Sequence, residues 1–323
     1  MPMSSMQAAV MRGPGGPEVL NIESIPVPVP RTDEVLIKVK AFGLNRSELF
    51  TRQGHSPGVQ FPRVLGIEAV GMVEQAPGGE FAIGDTVATV MGGMGRRFDG
   101  GYAEFTCVPA NQVREISSDL PWEILGAIPE MFQTAWGSVF QALDLQPGER
   151  LLIRGGSTSV GLAAAGLARN HGAYVLSTTR QPNRASLLIE HGASKTIVDD
   201  GHLSGRIEQV DKVLELVGTT TLADSLACVR PGGIVCMAGM VGDRWSFDSF
   251  APMDVIPNYV RLTTYSGGVP EFMAMPLDSI LSDIASGTLK VPTGPTAQLS
   301  DIVVAHRWME QNQAAGKIVV LTP

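Results

Sequence analysis

The chain has 323 residues, of which 44 % are hydrophobic, and its 24 basic and 32 acidic side chains give a net charge of −8 at pH 7. At about 150 residues per domain, this length predicts two domains with sizeable cores. The acidic balance and the lack of a run of Lys and Arg argue against a protein that binds nucleic acid or a membrane surface. The amino-terminal stretch lacks the pattern of a signal peptide, and no apolar run reaches the roughly 18 residues of a membrane span, so we expect a cytoplasmic protein.

Short apolar runs separated by Gly and Pro clusters fill residues 1–121. Examples are EVLIKVKAFG, AVGMVEQ, DTVATVMGG and GYAEFTCVP. This pattern is typical of an irregular domain rich in β-strands.

From residue 122 onward, segments typical of strands and helices alternate. The predicted strands are RLLIRG, AYVLST, KTIVD, KVLELVG and GIVCMAG, with helices beginning near Val160, Asn183 and Thr221. Such alternation implies right-handed βαβ crossovers and a doubly wound parallel sheet. The stretch MDVIPNYV, which contains Pro257 and directly follows Pro252, then indicates a return to the first domain, for a strand RLTTYSGG, a helix near Leu277 and a final strand GKIVVL. We therefore predict an α/β protein with one domain over 1–121 and 259–323 and a second over 122–258.

The segment IRGGSTSVG joins the strand RLLIRG to a helix rich in small residues. A pyrophosphate binds the backbone N–H groups at a helix N-terminus, where glycine lets it approach closely. We predict that Gly155 and Gly156 form the tight turn and that Gly161 lets the helix pack against the strand. Thr158 replaces the usual middle glycine, and we expect the hydroxyls of Thr158 and Ser159 to donate to phosphate. By itself, the segment fits an ordinary Gly/Ser turn equally well.

If the glycine turn binds a dinucleotide, the end of the strand AYVLST indicates whether that dinucleotide is NAD or NADP(H). An NAD site would place an Asp or Glu about 20 residues beyond the glycine turn, to bind the ribose 2′-hydroxyl, whereas a 2′-phosphate needs Arg, Lys, Ser or Thr. The residues found there are Ser177, Thr178, Thr179, Arg180 and Arg184, and no acid precedes Glu190. An NADP(H) site follows, with Arg180 as the favoured partner of the phosphate. Solvated arginines at a helix start are the alternative.

Segments along nearly the whole chain resemble the medium-chain dehydrogenase/reductase superfamily, and within it the zinc-independent, zeta-crystallin-like quinone oxidoreductase branch. In chain order they are GGPEVL, EVLIKVKAFGLNRSEL, PRVLGIEAVGMVE, FAIGDTVATV, DGGYAEF, QTAW, GGSTSVGLAAAGLA, ELVGTTTLADSLACVRPGGIV and AAGKIVV. The resemblance implies a GroES-like catalytic domain formed by the first and last parts and a Rossmann domain in the middle. It also implies an active site in the cleft between the domains and a homodimer.

The resemblance also bears on metal binding. Zinc alcohol dehydrogenases of the superfamily have a cysteine in the segment matching GLNRSEL and a histidine before the residue matching Glu68, but this chain has Asn45 and Ile67 there. A catalytic zinc needs three protein ligands of Cys, His or carboxylate type. We therefore expect a protein without a metal. Its cysteines lie in apolar contexts and are expected to be buried, reduced thiols: Cys107, Cys228 and Cys236.

Three residues are candidates for contact with the electron acceptor. The Asn45 amide would orient the nicotinamide or the acceptor carbonyl, Phe50 would stack on the acceptor, and Tyr265 would supply a hydroxyl. A turn-forming Asn45 and a structural Tyr265 are the alternatives. Many related quinone reductases carry tyrosines at the positions of Phe50 and Ser56, so a phenolic proton donor is missing there.

Further cofactor contacts are predicted outside the glycine turn. The resemblance places Thr134 near the nicotinamide ribose, and Ser157 and Val160 complete the glycine turn. Residues at the ends of two parallel strands, where open α/β sheets bind ligands, are also candidates: Val217, Gly218, Gly239 and Met240. Lys317 is a candidate with a surface charge as its alternative, and Glu68 is expected to be a structural anion.

Without a metal, alcohol oxidation lacks its Lewis acid, whereas hydride addition to a quinone or an α,β-unsaturated carbonyl remains feasible, with a proton from water. The sequence therefore predicts an NADPH-dependent reductase acting on quinones or activated carbon–carbon double bonds. Two alternatives stay open. One is an enoyl-thioester reductase, against which the missing tyrosines count, and the other is a non-catalytic NADPH-binding protein of crystallin or sensor type.

Overall fold

A computed structural model describes residues 5–323, which divide into two compact units. Unit 1 comprises residues 5–130 with Gly268–Leu281 and Thr293–Pro323, and unit 2 comprises Met131–Gly267 with Ser282–Pro292. The predicted domain boundaries, at 121/122 and 258/259, each lie nine residues before these divisions, and Ser282–Pro292 lies in unit 2 although the predicted bounds include it in the first domain. Within residues 5–323, no helix is long and apolar enough to cross a membrane.

In chain order, the strands are β1 (Met6–Met11), β2 (Leu20–Ile25), β3 (Glu34–Gly43), β4 (Arg63–Val64), β5 (Glu68–Gln75), β6 (Thr86–Val90), β7 (Phe105–Pro109), β8 (Val113–Glu115), β9 (Arg150–Arg154), β10 (Tyr174–Thr179), β11 (Lys195–Val198), β12 (Val210–Glu215), β13 (Val229–Met237), β14 (Arg261–Thr264), β15 (Thr293–Gln298) and β16 (Lys317–Leu321). The α-helices are α1 (Arg46–Arg52), α2 (Trp122–Leu125), α3 (Pro129–Trp136), α4 (Ser159–Asn170), α5 (Ala185–Glu190), α6 (Thr219–Ala227), α7 (Pro252–Val255), α8 (Val269–Ala274), α9 (Leu277–Ala285) and α10 (Ile302–Glu310).

Unit 1 is built on two sheets. One has the order β2-β1-β4, and the other has the order β15-β16-β3-β5-β6-β8, with β7 also paired to β3. The long strand β3 lies at the centre of the larger sheet, and its apolar side chains Val35, Ile37 and Val39 are fully buried. Branched side chains suit such a pleated, buried surface. The prediction of a β-rich, GroES-like part is confirmed.

Unit 2 contains one parallel sheet of six strands in the order β11-β10-β9-β12-β13-β14. This is the Rossmann order, in which the first strand of the unit, β9, lies beside the fourth, β12, and the direction of winding reverses between them. The interior strands read as continuous apolar runs, because helices cover both faces of such a sheet. The predicted doubly wound parallel sheet is confirmed.

The strand RLTTYSGG differs from its prediction. The sequence suggests a return to the first domain before this segment, but β14 pairs in parallel with β13 as the sixth strand of the sheet in unit 2, with Ile234 opposite Arg261. Pro252 begins the short helix α7 and Pro257 follows its end, so the local pattern breaks in this crossover without the chain leaving the unit. The chain re-enters unit 1 only at Gly268.

Candidate functional site

The glycine turn connects β9 to α4 in unit 2. Gly155 has φ +80°, a conformation that residues with side chains rarely adopt. A Cβ on Gly156 would overlap Ser177 Oγ, and a Cβ on Gly161 would lie 2.8 Å from Gly155 O. The chain's own packing therefore requires all three glycines. Helix α4, with 12 residues, presents its N-terminal N–H groups at this turn, as a phosphate-binding site needs.

Thr158 has a different role from the predicted one. It is the N-cap of α4, and its hydroxyl accepts the Gly161 N–H at 3.0 Å and donates to Gly155 O at 2.9 Å. Because a hydroxyl has one proton to donate, this contact contradicts the predicted donation from Thr158 to phosphate. Ser157, Ser159 and Val160 are partly exposed on the same turn, and their contact with a cofactor stays a prediction.

The end of β10 contains both buried and exposed side chains. Ser177 and Thr178 are buried, and the Thr178 hydroxyl accepts the Gly155 N–H at 3.1 Å. Thr179 is also buried, and its hydroxyl accepts the Gln181 N–H at 3.1 Å. Thr178 therefore supports the glycine turn and Thr179 supports the turn after β10, whereas Ser177 Oγ has no hydrogen-bond partner within residues 5–323. Contact of these three side chains with a cofactor stays a prediction. Two candidates reach solvent: Arg180 is exposed and Arg184 is partly exposed.

Two further turns lie at the carboxyl ends of β12 and β13. Val217 and Gly218 follow β12, Gly239 and Met240 follow β13, and Gly242 N–H donates to Val217 O at 2.8 Å. Gly218 has φ +119°, and a Cβ on Gly239 would lie 2.6 Å from a carbonyl oxygen of the first turn. Close-packed turns at this edge of a parallel sheet border its ligand crevice. These four residues stay candidate cofactor contacts.

A buried guanidinium directly precedes the glycine turn. Arg154 ends β9, and its Nε and Nη2 donate to the two carboxylate oxygens of Asp199 at 2.8 and 2.9 Å, while Nη1 lies 2.5 Å from Asp224 Oδ2. Burial alone would lower the pKa of Arg154, but the two carboxylates raise it above its ordinary value. Sequence reasoning missed this residue, although an arginine closing the apolar strand LLIR was a signal.

The residues of unit 1 include a buried cation with three oxygen partners. Lys317 Nζ lies 2.6 Å from Asn45 Oδ1, 2.8 Å from Glu68 Oε1 and 3.2 Å from Glu130 Oε2. Lys317 is 2 % exposed, so the alternative of a surface charge is wrong. An ammonium has three donors, and all three have partners here, which also argues against the predicted cofactor contact.

Asn45 is engaged in the same cluster. Its amide nitrogen donates to Glu68 Oε1 at 2.9 Å and to Gly43 O at 3.3 Å, while its oxygen accepts from Lys317. Orientation of a nicotinamide or acceptor by this amide, as predicted, would require these bonds to break. Glu68 is fully buried and also accepts the Glu130 N–H at 2.8 Å, so its expected role as a structural anion is confirmed.

A chain of buried donors ends at Glu48 in unit 1. Arg52 donates to His306 Nδ1 at 3.4 Å, His306 Nε2 lies 3.0 Å from Tyr102 Oη, and the Tyr102 hydroxyl donates to Glu48 Oε2 at 2.6 Å. Since arginine can only donate, the neutral His306 ring carries its proton on Nε2. Burial raises the pKa of Glu48 to about 7 and lowers that of His306 to about 3. Sequence reasoning missed Glu48 and His306.

The remaining predicted residues lie in ordered positions. The Phe50 ring contacts His55 edge-on, with centroids 6.4 Å apart, in unit 1. In unit 2, the Tyr265 hydroxyl lies 3.4 Å from Gln133 O, and its ring packs so closely on Gly137 that a Cβ there would overlap it. This packing favours the structural role for Tyr265. Thr134 is buried in α3.

Metal binding would require a group of ligands, and thiol chemistry would require a reactive cysteine, among the described residues. Among residues 5–323, no three His, Cys, Asp or Glu side chains are grouped as a metal site requires. At the two positions that match zinc ligands, Asn45 is bonded to Lys317 and Ile67 is buried. The cysteines are free, and burial raises the thiol pKa of both Cys228 and Cys236 to about 12, so neither is a reactive thiolate near neutral pH.

Two family models match the chain: "Alcohol dehydrogenase GroES-like domain" over residues 31–118 and "Zinc-binding dehydrogenase" over residues 185–320. The quinone oxidoreductase of Rattus norvegicus is 31 % identical over 95 % of each chain, and that of Pseudomonas aeruginosa is 27 % identical over 95 % of this chain and 97 % of its own. The crystal structure of AibC has a TM-score of 0.89 at 27 % identity, covering 99 % of this chain and 96 % of its own. A mycobacterial protein solved with NADPH has a TM-score of 0.87 at 26 % identity, covering 98 % of this chain and 100 % of its own.

The relationship to the rat enzyme extends over both units, so it is not confined to the widespread cofactor fold. A shared fold alone would not specify the family, but an identity of 31 % over 95 % of the chain does. The chain therefore belongs to the quinone oxidoreductase branch of the medium-chain dehydrogenase/reductase superfamily and is an oxidoreductase.

Proposed function

We propose that this chain is an NADPH-dependent reductase that transfers hydride, without a metal, to quinones or to the activated double bonds of α,β-unsaturated carbonyl compounds. The observation that supports NADPH most is the end of β10. Arg180 is exposed there, beside the glycine turn, and residues 177–189 contain no Asp or Glu. An exposed guanidinium without a neighbouring acid on the same strand suits a 2′-phosphate and offers no acceptor to a ribose 2′-hydroxyl.

The residues of unit 2 fit this cofactor. The turn at Gly155 and Gly156 and the N-terminus of α4 would hold the pyrophosphate, because a Cβ on Gly156 has no room and the helix end presents N–H donors. Thr134, Val217 and Gly239 would orient the nicotinamide half. When bound, NADPH supplies the hydride. A mycobacterial relative at 26 % identity was solved with NADPH, which supports the same choice here.

The acceptor side requires an apolar surface and a source of a proton. Phe50 would stack against a flat quinone or enone. The hydride adds to the acceptor, and a proton from water then yields a hydroquinone or a saturated carbonyl compound. Solvent is the favoured proton source because the Tyr265 hydroxyl faces Gln133 O and the Asn45 amide is bonded to Glu68.

An assay of NADPH oxidation tests the proposal. Loss of NADPH absorbance would be followed with benzoquinone, phenanthrenequinone, an alkenal and a crotonyl thioester, with NADH as the control cofactor. We expect turnover with the quinones or the alkenal and a clear preference for NADPH. Turnover with the thioester alone would favour an enoyl-thioester reductase. Binding of NADPH without any turnover would favour the non-catalytic alternative and contradict the proposal.

We also propose that the protein is a homodimer, as the family resemblance implies. In unit 2, β14 is the outermost strand of the parallel sheet, and an edge strand of this kind is a ready surface for pairing with a second chain. Analytical ultracentrifugation should give twice the mass of one chain. A monomer at micromolar concentration would contradict this assignment.

A further inference from the structure

We propose that Arg154 is a positioning residue that connects three turns of the cofactor site through one buried polar network. The turns are the glycine turn, the end of β10 and the turn after β12. The inference rests on the proposed binding of NADPH, but it concerns side chains that lie under the turns and do not touch the cofactor. The network consists of Arg154, Asp199, Asp224, Thr178, Ser225 and Glu215, and the Thr221 hydroxyl also donates to Glu215 Oε2 at 3.0 Å.

The network lies where the winding of the sheet reverses. Arg154 ends β9 and Glu215 ends β12, the two neighbouring strands between which an open α/β sheet binds its ligand. Both side chains are fully buried. A buried charge is costly unless it is paired and hydrogen-bonded, so two such residues at the strand ends need a compensating arrangement.

Asp199 links Arg154 to the glycine turn. Its carboxylate is held by two parallel bonds from the guanidinium, and the nearby Thr178 hydroxyl also lowers its pKa. That hydroxyl in turn accepts the Gly155 N–H at 3.1 Å. Burial alone would raise the pKa of Asp199, but Arg154 holds it below its ordinary value. Asp199 therefore stays an anion beside the Thr178 hydroxyl, whose contact with the Gly155 N–H holds the first peptide of the turn.

Arg154 also compensates the charge of Asp199 near the predicted phosphate site. The Asp199 N–H donates to Thr179 O at 3.0 Å. Asp199 therefore lies next to the end of β10, whose last residue directly precedes Arg180. An uncompensated anion at that position would repel a 2′-phosphate. With both of its oxygens bonded to the guanidinium, Asp199 opposes the phosphate less.

Ser225 links Arg154 to the turn after β12. Its hydroxyl accepts from Arg154 Nη1 at 3.2 Å and donates to Glu215 Oε2 at 2.5 Å. The other oxygen of Glu215 accepts the backbone N–H groups of Val217 at 2.6 Å and Gly218 at 3.1 Å. Displacement of the guanidinium would therefore disturb the turn that carries two predicted cofactor contacts.

The experiment uses the full-length protein and two readouts. Amide hydrogen exchange at Gly155, Val217 and Gly218 is measured without cofactor, and NADPH affinity is measured by fluorescence titration. The variants are Arg154→Lys, Thr178→Val, its conservative partner Thr178→Ser, and Ser225→Ala. Val235→Ala is the matched control, because this core residue of β13 is buried and lies outside the network.

Thr178→Val should speed exchange at Gly155 about 10-fold and weaken NADPH binding about 10-fold, because the buried N–H loses its acceptor, whereas Thr178→Ser should behave like the wild type. Ser225→Ala should affect Val217 and Gly218 instead, and Arg154→Lys should affect both turns. Val235→Ala should lower the melting temperature without either local change.

Unchanged exchange in Thr178→Val and Ser225→Ala, or equal changes in Val235→Ala, would overturn the inference. If Arg154→Lys fails to fold, the other two variants still decide it. If the wild type does not bind NADPH, the proposed function fails, while the exchange data without cofactor still test the network.

Discussion

Lys317 and Glu68 form an ion pair in which neither side chain reaches solvent, with Nζ and Oε1 2.8 Å apart and exposures of 2 % and 0 %. Burial alone would lower the pKa of Lys317, but Glu68 and Glu130 raise it. The ammonium thus compensates the charges of two carboxylates and also donates to the Asn45 amide oxygen. Such a pair contributes little net stability when intact, but loss of one partner leaves a buried, uncompensated charge.

Replacement of Lys317 should therefore destabilise unit 1 strongly. Lys317→Met removes the cation between Glu68 and Glu130, and we expect a loss of about 3–5 kcal/mol in the free energy of unfolding, measured by denaturant titration. Lys290→Met is the matched control, because its pair with Glu190 is half-exposed and screened by solvent, so its loss should change stability little. Equal stability of the two variants would show that the buried cluster is not electrostatically coupled.

His306 should make stability depend on pH. Burial, and then the charge of Arg52, lowers the pKa of His306 from 6.5 to about 3, so the folded state favours the neutral ring. The unfolded state binds the proton more readily. The stability due to His306 is therefore complete above pH 6.5 and is lost as the pH falls from 6.5 towards 3, by up to about 1.4 kcal/mol per pH unit.

The measurement compares wild type with His306→Gln by thermal unfolding from pH 4 to pH 8. Glu48 has the opposite effect: its pKa is raised to about 7, so its contribution is present below pH 4.5 and is lost as the pH rises through 7. A raw profile mixes the two groups, whereas the difference between wild type and variant isolates His306. We expect that difference to shrink steadily below pH 6.5, and a constant difference would contradict the assignment.

Thr158 should stabilise α4 rather than bind phosphate. Thr158→Ala removes the acceptor for the Gly161 N–H and should lower the free energy of unfolding by about 1 kcal/mol, whereas Thr158→Ser should retain the cap. NADPH affinity should change little in Thr158→Ser and should not improve in Thr158→Gly. Tighter NADPH binding by Thr158→Gly would show instead that the side chain obstructs the pyrophosphate.

Arg180 should determine the preference for NADPH. Arg180→Ala would remove the proposed charge-assisted contact with the 2′-phosphate, of about 1.5–3 kcal/mol, so the KM for NADPH should rise roughly 10-fold or more while the KM for NADH stays unchanged. Arg230→Ala is a suitable control, since this exposed arginine of unit 2 pairs with Asp211. An equal rise for both cofactors would place the phosphate elsewhere.

The sequence predicted those features that depend on local patterns. The order of strands and helices in unit 2 follows from periodicity, and Gly155, Gly156 and Gly161 follow from backbone requirements of the turn itself. The buried clusters depend on residues far apart in the chain: Arg154 and Asp199 are separated by 45 positions, and Tyr102 and His306 by 204. Periodicity shows that a position is buried, but not which distant partner compensates its charge.

Two different causes explain the errors at single residues. Thr158 was predicted to donate to phosphate and Lys317 to contact the cofactor, but each has nearer partners that use its donors. For Thr158, the competing role is a helix cap three residues from its partner, which the sequence already contains as a pattern. For Lys317, the partners come from β5 and α3, and only the fold brings them together.

The close packing of Gly156 against Ser177 in unit 2 gives a further prediction. Gly156→Ala would place a Cβ over Ser177 Oγ and 3.0 Å from Thr178 N, so the turn must shift, at a cost of about 1–3 kcal/mol in unfolding free energy and with at least a 10-fold loss of NADPH affinity. The overlapping hydroxyl is itself buried and has no hydrogen-bond partner within residues 5–323. Ser177→Ala alone should therefore be neutral or stabilising, because it removes an unsatisfied buried group. The double variant Gly156→Ala/Ser177→Ala should recover part of both losses, measured by thermal unfolding and NADPH titration. If the double variant is as impaired as Gly156→Ala, the restriction comes from the backbone of β10 or from the cofactor itself, and not from the serine hydroxyl.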